Sequence, residues 1–318
     1  MPHEKHAPAT GYAPPPGAPP SKIHPGSSAS TEDPPPYHDW TIIPDTALLP
    51  PPPTIHHNES PTANASLDEA ERAHEWCHIN RLIPPQKLSV PAQQARRNSQ
   101  YLLNQAQEFS GNVFPGRTPG TYRVEAKRKC TDCILITALP MYSANLDSPL
   151  MTEVPKTIYF EIKVDSMGTG RAADEAGIAI GFVALPYPTW RLPGWERGSL
   201  GVHGDDGRRY MNDTWGGKDF TRAFKRGDTV GVGMKFSVAD QQAVYGSTPI
   251  QLKAEVFFTR NGKRENGWDV HEEKDSEDQS GPVEGLEGFH DLYPAVGMFG
   301  ESAFHVVLNP REWNYQPV

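Results

Sequence analysis

Between Thr157 and Val164 the side chains alternate, with Ile158, Phe160, Ile162 and Val164 on one side of an extended backbone and Tyr159, Glu161 and Lys163 on the other. A period of two is what a strand with one buried face requires. The same alternation returns at Ile178, Ile180 and Phe182, at Val230, Val232, Met234 and Phe236, at Val256 and Phe258, and at Phe304, Val306 and Leu308. Asn261-Gly262, directly after the apolar run ending at Arg260, supplies the two positive-φ residues that a type I′ hairpin turn prefers. Short strands, Gly/Pro turns and almost no helical period between Tyr122 and Val318 predict an all-β fold, an antiparallel β-sandwich over residues 121–318.

The chain before Gly120 reads differently. Residues 1–61 are rich in Pro, Ser, Thr and Ala and poor in large aliphatics, so they are expected to form a disordered proline-rich arm. Residues 62–120 are expected to form a helical or irregular extension. Ser66-Leu67-Asp68-Glu69 has capping-box spacing, and Ala70, Ala73, Trp76 and Cys77 form one stripe, which predicts a helix closed off before Pro84-Pro85. Gln93 to Gln107 reads as a second helix, while Phe114-Pro115-Gly116 and Thr118-Pro119-Gly120 read as turns. The acidic run from Glu272 to Gly281 predicts a solvated loop insertion near residues 265–290.

Charge and cysteine content narrow the class of function. Lys and Arg number 30 against 39 Asp and Glu, a net charge of -9, which disfavours phosphate backbones and anionic lipid. The 3 cysteines cannot close a disulfide framework, and the first residues lack the apolar core of a secretion signal, so a cytoplasmic location is expected. Every apolar run is cut well short of the roughly 18 residues a membrane-spanning helix needs.

The densest group of recognition-type side chains lies between Leu185 and Gly217. Tyr187, Trp190, Arg191, Trp195, Asp205, Asp206, Arg208 and Trp215 sit there among Gly and Pro, which places aromatics and arginines on loops at the end of a sheet and predicts a partner-binding rim. Trp195 and Tyr210 fit equally well as core side chains plugging the sandwich. His203, Asp205 and Asp206 fit a turn whose amides the carboxylates satisfy better than a metal site. Cys130 and Cys133 lack the second pair that structural zinc needs and read as buried thiols. No nucleophile elbow, phosphate loop or metalloprotease motif is present, so neither catalysis, a cofactor nor a metal is expected. Arg96-Arg97-Asn98-Ser99 presents a basophilic kinase pattern, with Ser99 as the acceptor. In the arm, Pro34, Pro35 and Tyr37 of the Pro34-Pro35-Pro36-Tyr37 segment match the P-P-x-Y ligand of WW domains, while Leu49 to Pro53 fits a Src-homology-3 ligand or a polyproline spacer.

The order of the motifs resembles the SPRY domain. The matching pieces are Tyr159-Phe160-Glu161-Ile162, Ile180-Gly181-Phe182, Leu192-Pro193-Gly194-Trp195, Gly201 to Gly207, Gly227 to Gly233, Phe257 to Gly262, and Tyr293 to Gly297. The resemblance covers roughly residues 155 to 310 and implies a concanavalin A-like sandwich whose end loops bind a target protein or peptide. From Trp190 to Asp206 it is most similar to fungal SPRY adaptors that recruit HECT-type ubiquitin ligases in endosomal trafficking, although those carry a transmembrane anchor that this sequence does not show. That likeness implies a non-enzymatic adaptor in which the P-P-x-Y segment recruits a WW-domain ubiquitin ligase, working in the cytoplasm or brought to endosomal membranes by its partners. Two alternatives remain at this stage: a glycan-binding or glycan-cleaving lectin-like sandwich, and a structural scaffold of a ligase complex.

Overall fold

The computed structural model describes residues 66–168, 176–239, 252–273 and 281–317. The arm with Pro34, Pro35 and Tyr37, the Leu49 to Pro53 run and the middle of the acidic insertion lie outside the described residues.

Two helices precede the strands. Helix α1 spans Leu67–Ile79 and starts with the capping box expected for it: the Ser66 hydroxyl accepts from the Glu69 amide, and the Glu69 carboxylate accepts from the Ser66 amide. Its buried side chains, Ala70, Ala73 and Cys77, lie on the stripe that the three- and four-residue spacing marks. Helix α2 spans only Val90–Arg97. The longer helix expected through Gln107 does not form, because Asn98 caps α2 and Ser99 turns the chain at a φ of 56°.

Fourteen strands among the described residues make two antiparallel seven-stranded sheets. The first sheet has the order β1 (Leu103–Asn104), β4 (Cys133–Thr137), β13 (Tyr293–Phe299), β6 (Gly177–Val183), β7 (Ser199–His203), β8 (Arg208–Met211), β9 (Lys218–Asp219). The second has the order β12 (Lys263–Asp269), β11 (Leu252–Arg260), β10 (Thr229–Val238), β5 (Lys156–Met167), β14 (Ser302–Val307), β3 (Thr121–Ala126), β2 (Gly111–Pro115). Short helices α3 (Ala144–Asp147) and α4 (Pro149–Thr152) connect β4 to β5.

Of the stretch expected to be a helical or irregular extension, residues 66–120 are described. They supply β1 and β2, an edge strand to each sheet, and Phe114-Pro115 lies in β2 rather than in a turn. Pro115 is tolerated because β2 has no outer neighbour among the described residues to ask for its missing N–H.

The main buried cluster among the described residues includes Phe160, Ile162, Ile180, Phe182, Val202, Val232, Phe258, Val296 and Phe304. Strand β5 departs from simple alternation, since Tyr159 and Glu161 on its outer side are buried too. The C-terminal segment covers them: the Glu161 carboxylate accepts from the Asn314 and Tyr315 amides at 2.9 Å each and from the Tyr159 hydroxyl at 2.8 Å. The hairpin between β11 and β12 turns at Asn261 and Gly262, with φ of 51° and 77° as a type I′ turn requires.

Candidate partner-binding surface

The loops joining β6 to β7 and β8 to β9 carry most of the residues that composition singles out, and they fold into two different environments. The first, from Tyr187 to Glu196, is a closed floor. Gly194 at a φ of 101° lets the loop double back, and its amide donates to the Ser199 hydroxyl at 2.8 Å. The Tyr187 hydroxyl donates to the Leu192 carbonyl at 2.6 Å and accepts from the Glu196 amide at 3.2 Å. Burial pushes the Tyr187 phenol well above its ordinary range. Trp195 packs against His203, which stacks on Tyr210 at 4.0 Å and lies 3.0 Å from the Pro193 carbonyl through Nε2.

Arg191 is buried in this floor at 1% exposure. Its Nε donates to the Glu196 carboxylate at 2.8 Å, and the guanidinium lies 4.3 Å from the Trp195 ring centroid. Burial raises the Glu196 carboxyl, with Arg191 and then His74 opposing the shift.

Helix α1 is seated on top. Trp76 meets Trp190 edge-on with centroids 6.0 Å apart, and Arg72 lies over the other ring of that pair at 4.3 Å. Arg197 donates to the helix-end carbonyls of Cys77, at 3.3 Å, and Asn80. His74 Nε2 lies 3.0 Å from the Thr214 hydroxyl and 3.5 Å from the Glu196 carboxylate. The expectation that Tyr187, Arg191 and Trp195 form a contact rim is therefore corrected. They are interior side chains that build a seat, and Trp190 is half-buried beneath the helix.

The second loop is more exposed. Trp215 is 40% exposed, and the chain beneath it is braced by Asp213, a buried residue. One Asp213 oxygen accepts from the Trp215 amide at 2.9 Å and the Gly216 amide at 3.3 Å, and the other accepts from the Gly217 amide at 3.1 Å. Arg208 adds a second brace through the Gly216 carbonyl at 2.8 Å and Asp219 at 3.1 Å. Asp206 accepts from the Arg208 amide at 2.8 Å and the Tyr210 hydroxyl at 2.9 Å, the turn role that its sequence position predicts. Asp205 is half-buried beside it. The loop is thus a rigid mount for one aromatic, the arrangement an interface anchor uses.

Ser99 does not present an acceptor hydroxyl. It is 9% exposed, sits at positive φ, and lines a cleft of about 500 Å³ with Arg96, Asp147 and Lys156. A kinase groove needs an extended substrate, which this turn is not. Glu161, a carboxylate that a glycan-cleaving sandwich could have drawn on, instead accepts from the Asn314 and Tyr315 amides.

Sequence reasoning passed over Glu196, Asp213 and Arg197. Asp213 was the most accessible of these: an Asp two residues before Trp215 and followed by Gly216-Gly217 is the spacing of a carboxylate folding back on the next amides.

A family model described as SPRY domain matches residues 157–304. That segment is a SPRY domain. A SPRY domain is a protein-interaction module, and here the loop from Tyr187 to Glu196 lies under α1. Among curated relatives, a SPRY domain-containing protein of Schizosaccharomyces pombe is 26% identical over 196 residues, covering 58% of this chain and 39% of its own length. Protein ssh4 of Sclerotinia sclerotiorum is 28% identical over 235 residues, covering 69% of this chain and 36% of its own. The chain thus spans little more than a third of either relative. A solved human SPRY domain is 22% identical with a TM-score of 0.37, covering 62% of this chain and 95% of that one. Among the described residues no helix is long and apolar enough to cross a membrane.

Proposed function

We propose that the chain is a non-enzymatic adaptor. The SPRY domain holds a target protein at the Trp215 loop, and Pro34, Pro35 and Tyr37 recruit a WW-domain ubiquitin ligase. The observation that carries the target half is Trp215 itself: a large exposed aromatic on a backbone whose three amides, of Trp215, Gly216 and Gly217, donate hydrogen bonds to the buried Asp213 carboxylate. A protein that merely tolerated an exposed Trp would have no need to fix the backbone under it. Arg208 and Asp206 extend this surface as braces, and Asp205 borders it. The ligase half is supported by the P-P-x-Y spacing, in which two prolines preset the polyproline-II backbone and the Tyr enters a second groove. Two sites on one chain raise the local concentration of ligase at the target to roughly millimolar for a short flexible linker, so weak WW binding is sufficient. Recruitment to endosomal membranes through those partners belongs to the same reading.

Affinity purification of the intact chain, Tyr37→Ala and Trp215→Ala tests it. Tyr37→Ala is expected to lose the WW-domain ligase and keep the target; Trp215→Ala is expected to do the reverse. Retention of the ligase by Tyr37→Ala would remove the recruiting half, and an unchanged partner set for Trp215→Ala would remove the other.

A further inference from the structure

Cys130 and Cys133 stand apart from every contact used so far. Their sulfurs are 3.5 Å apart, at 5% and 0% exposure. Separate backbone anchors hold each one. The Cys130 amide donates to the Lys127 carbonyl at 2.8 Å and its carbonyl accepts from the Gly300 amide at 2.9 Å, while Cys133 opens β4 in register with Met298 of β13. The turn between them is pinned at both ends whatever the sulfurs do. The gap between the sulfurs is about 1.5 Å wider than the roughly 2.05 Å of a disulfide.

We propose that Cys130 and Cys133 form a reversible intrachain disulfide, a modification site in which Cys130 is oxidised by hydrogen peroxide and Cys133 resolves it. The Cys130 thiolate attacks one peroxide oxygen; the O–O bond breaks, hydroxide leaves, and Cys130 becomes a sulfenic acid. The Cys133 thiol then attacks the Cys130 sulfur, the S–O bond breaks, and the hydroxyl departs with the Cys133 proton as water. Two electrons pass from the two sulfurs to the peroxide, which ends as two waters once the hydroxide takes up the proton lost by Cys130. The order of attack follows from the pair: the hydrogen bond between the two sulfurs lowers the Cys130 thiol below its ordinary value, and Cys133 is raised by that bond and by burial. Peroxide is scarcely larger than water, which suits a sulfur with so little exposure. Cys77, on the buried face of α1 and raised to about 11 by burial, is a free cysteine for which no sulfur contact is seen among the described residues, and serves as an internal control.

The test is a peroxide titration of the full chain, quenched with catalase, unfolded, alkylated and digested with trypsin, so that the peptide from Cys130 to Lys156 carries both thiols. The expected product is that peptide lighter by two hydrogens and unalkylated, restored by dithiothreitol, with Cys77 still alkylated and Cys130 at least about tenfold more reactive than Cys77. In Cys133→Ser, Cys130 should stop as a sulfenic acid that dimedone traps. The proposal is overturned if native Cys130 advances to sulfinic acid while Cys133 remains alkylatable, if Cys77 enters the disulfide, or if both thiols stay alkylatable at doses that oxidise free cysteine completely.

Discussion

The Arg72 guanidinium stands 4.3 Å from the Trp190 ring centroid, so a cation on α1 covers an aromatic of the SPRY loop beneath it. Such a contact contributes about 0.5–2 kcal/mol according to how far it is shielded from water. With the edge-on Trp76 ring and the Arg197 bonds to the helix end, it makes α1 part of the module's upper surface.

Ala73 lies at the centre of that seat with no exposed surface. Ala73→Asp would bury a carboxylate without a partner, at a cost of about 1–3 kcal/mol or more, and a helix of 13 residues has little stability of its own. Hydrogen exchange should accelerate through residues 67–79 while β5 and β10 keep their protection. Uniform loss of protection across the sheets would mean that helix and sandwich unfold as one unit.

The Arg191–Glu196 pair is an ion pair with both side chains 1% exposed. Arg191→Ala leaves the Glu196 charge buried and should destabilise by about 3–5 kcal/mol in urea unfolding. Arg191→Met combined with Glu196→Gln removes both charges and should cost markedly less. Equal losses in the two variants would show that shape, not charge, governs this position.

The strands and the hairpin were legible because a period of two and an Asn-Gly turn are local signals. Residues 93–107 and Tyr187 to Trp195 were not, for reasons that differ. The second helix is cut short by Ser99 adopting positive φ, a conformation its sequence does not demand. Arg191 looks like a surface residue from composition; only Glu196, five positions on, makes its burial affordable in energy, and that pairing exists only once Gly194 has reversed the loop. Tyr159 and Glu161 alternate as an exposed face should, yet the last residues of the chain cover them, a contact across some 150 positions that no window reveals.

Asp132 gives a pH signature. Burial first, then the nearby Glu69 carboxylate, pushes its carboxyl from 3.8 up to about 7. The folded state therefore holds a proton that the unfolded chain has released, and stability should fall as pH rises from about 4 to about 7 before levelling off. Asp132→Asn should flatten this slope and raise the melting temperature at pH 8. An Asn variant that follows the wild-type profile would place the titration on another group.

Asp213→Ala removes the acceptor for three amides under Trp215. A stability loss of about 1–3 kcal/mol is expected, with faster exchange at residues 215–217 and weaker target capture even though Trp215 is intact. Unaltered exchange there would show that Arg208 alone suffices as the brace.

The acidic insertion leaves and rejoins the described chain beside β8 and the residue that follows it: Glu272 pairs with Arg209 at 2.5 Å, and the Gly281 amide donates to the Asn212 carbonyl at 2.6 Å. Both stems are thus stitched to β8 and to the start of the Trp215 loop. A probe attached at either stem would therefore report from beside the loop that carries Trp215.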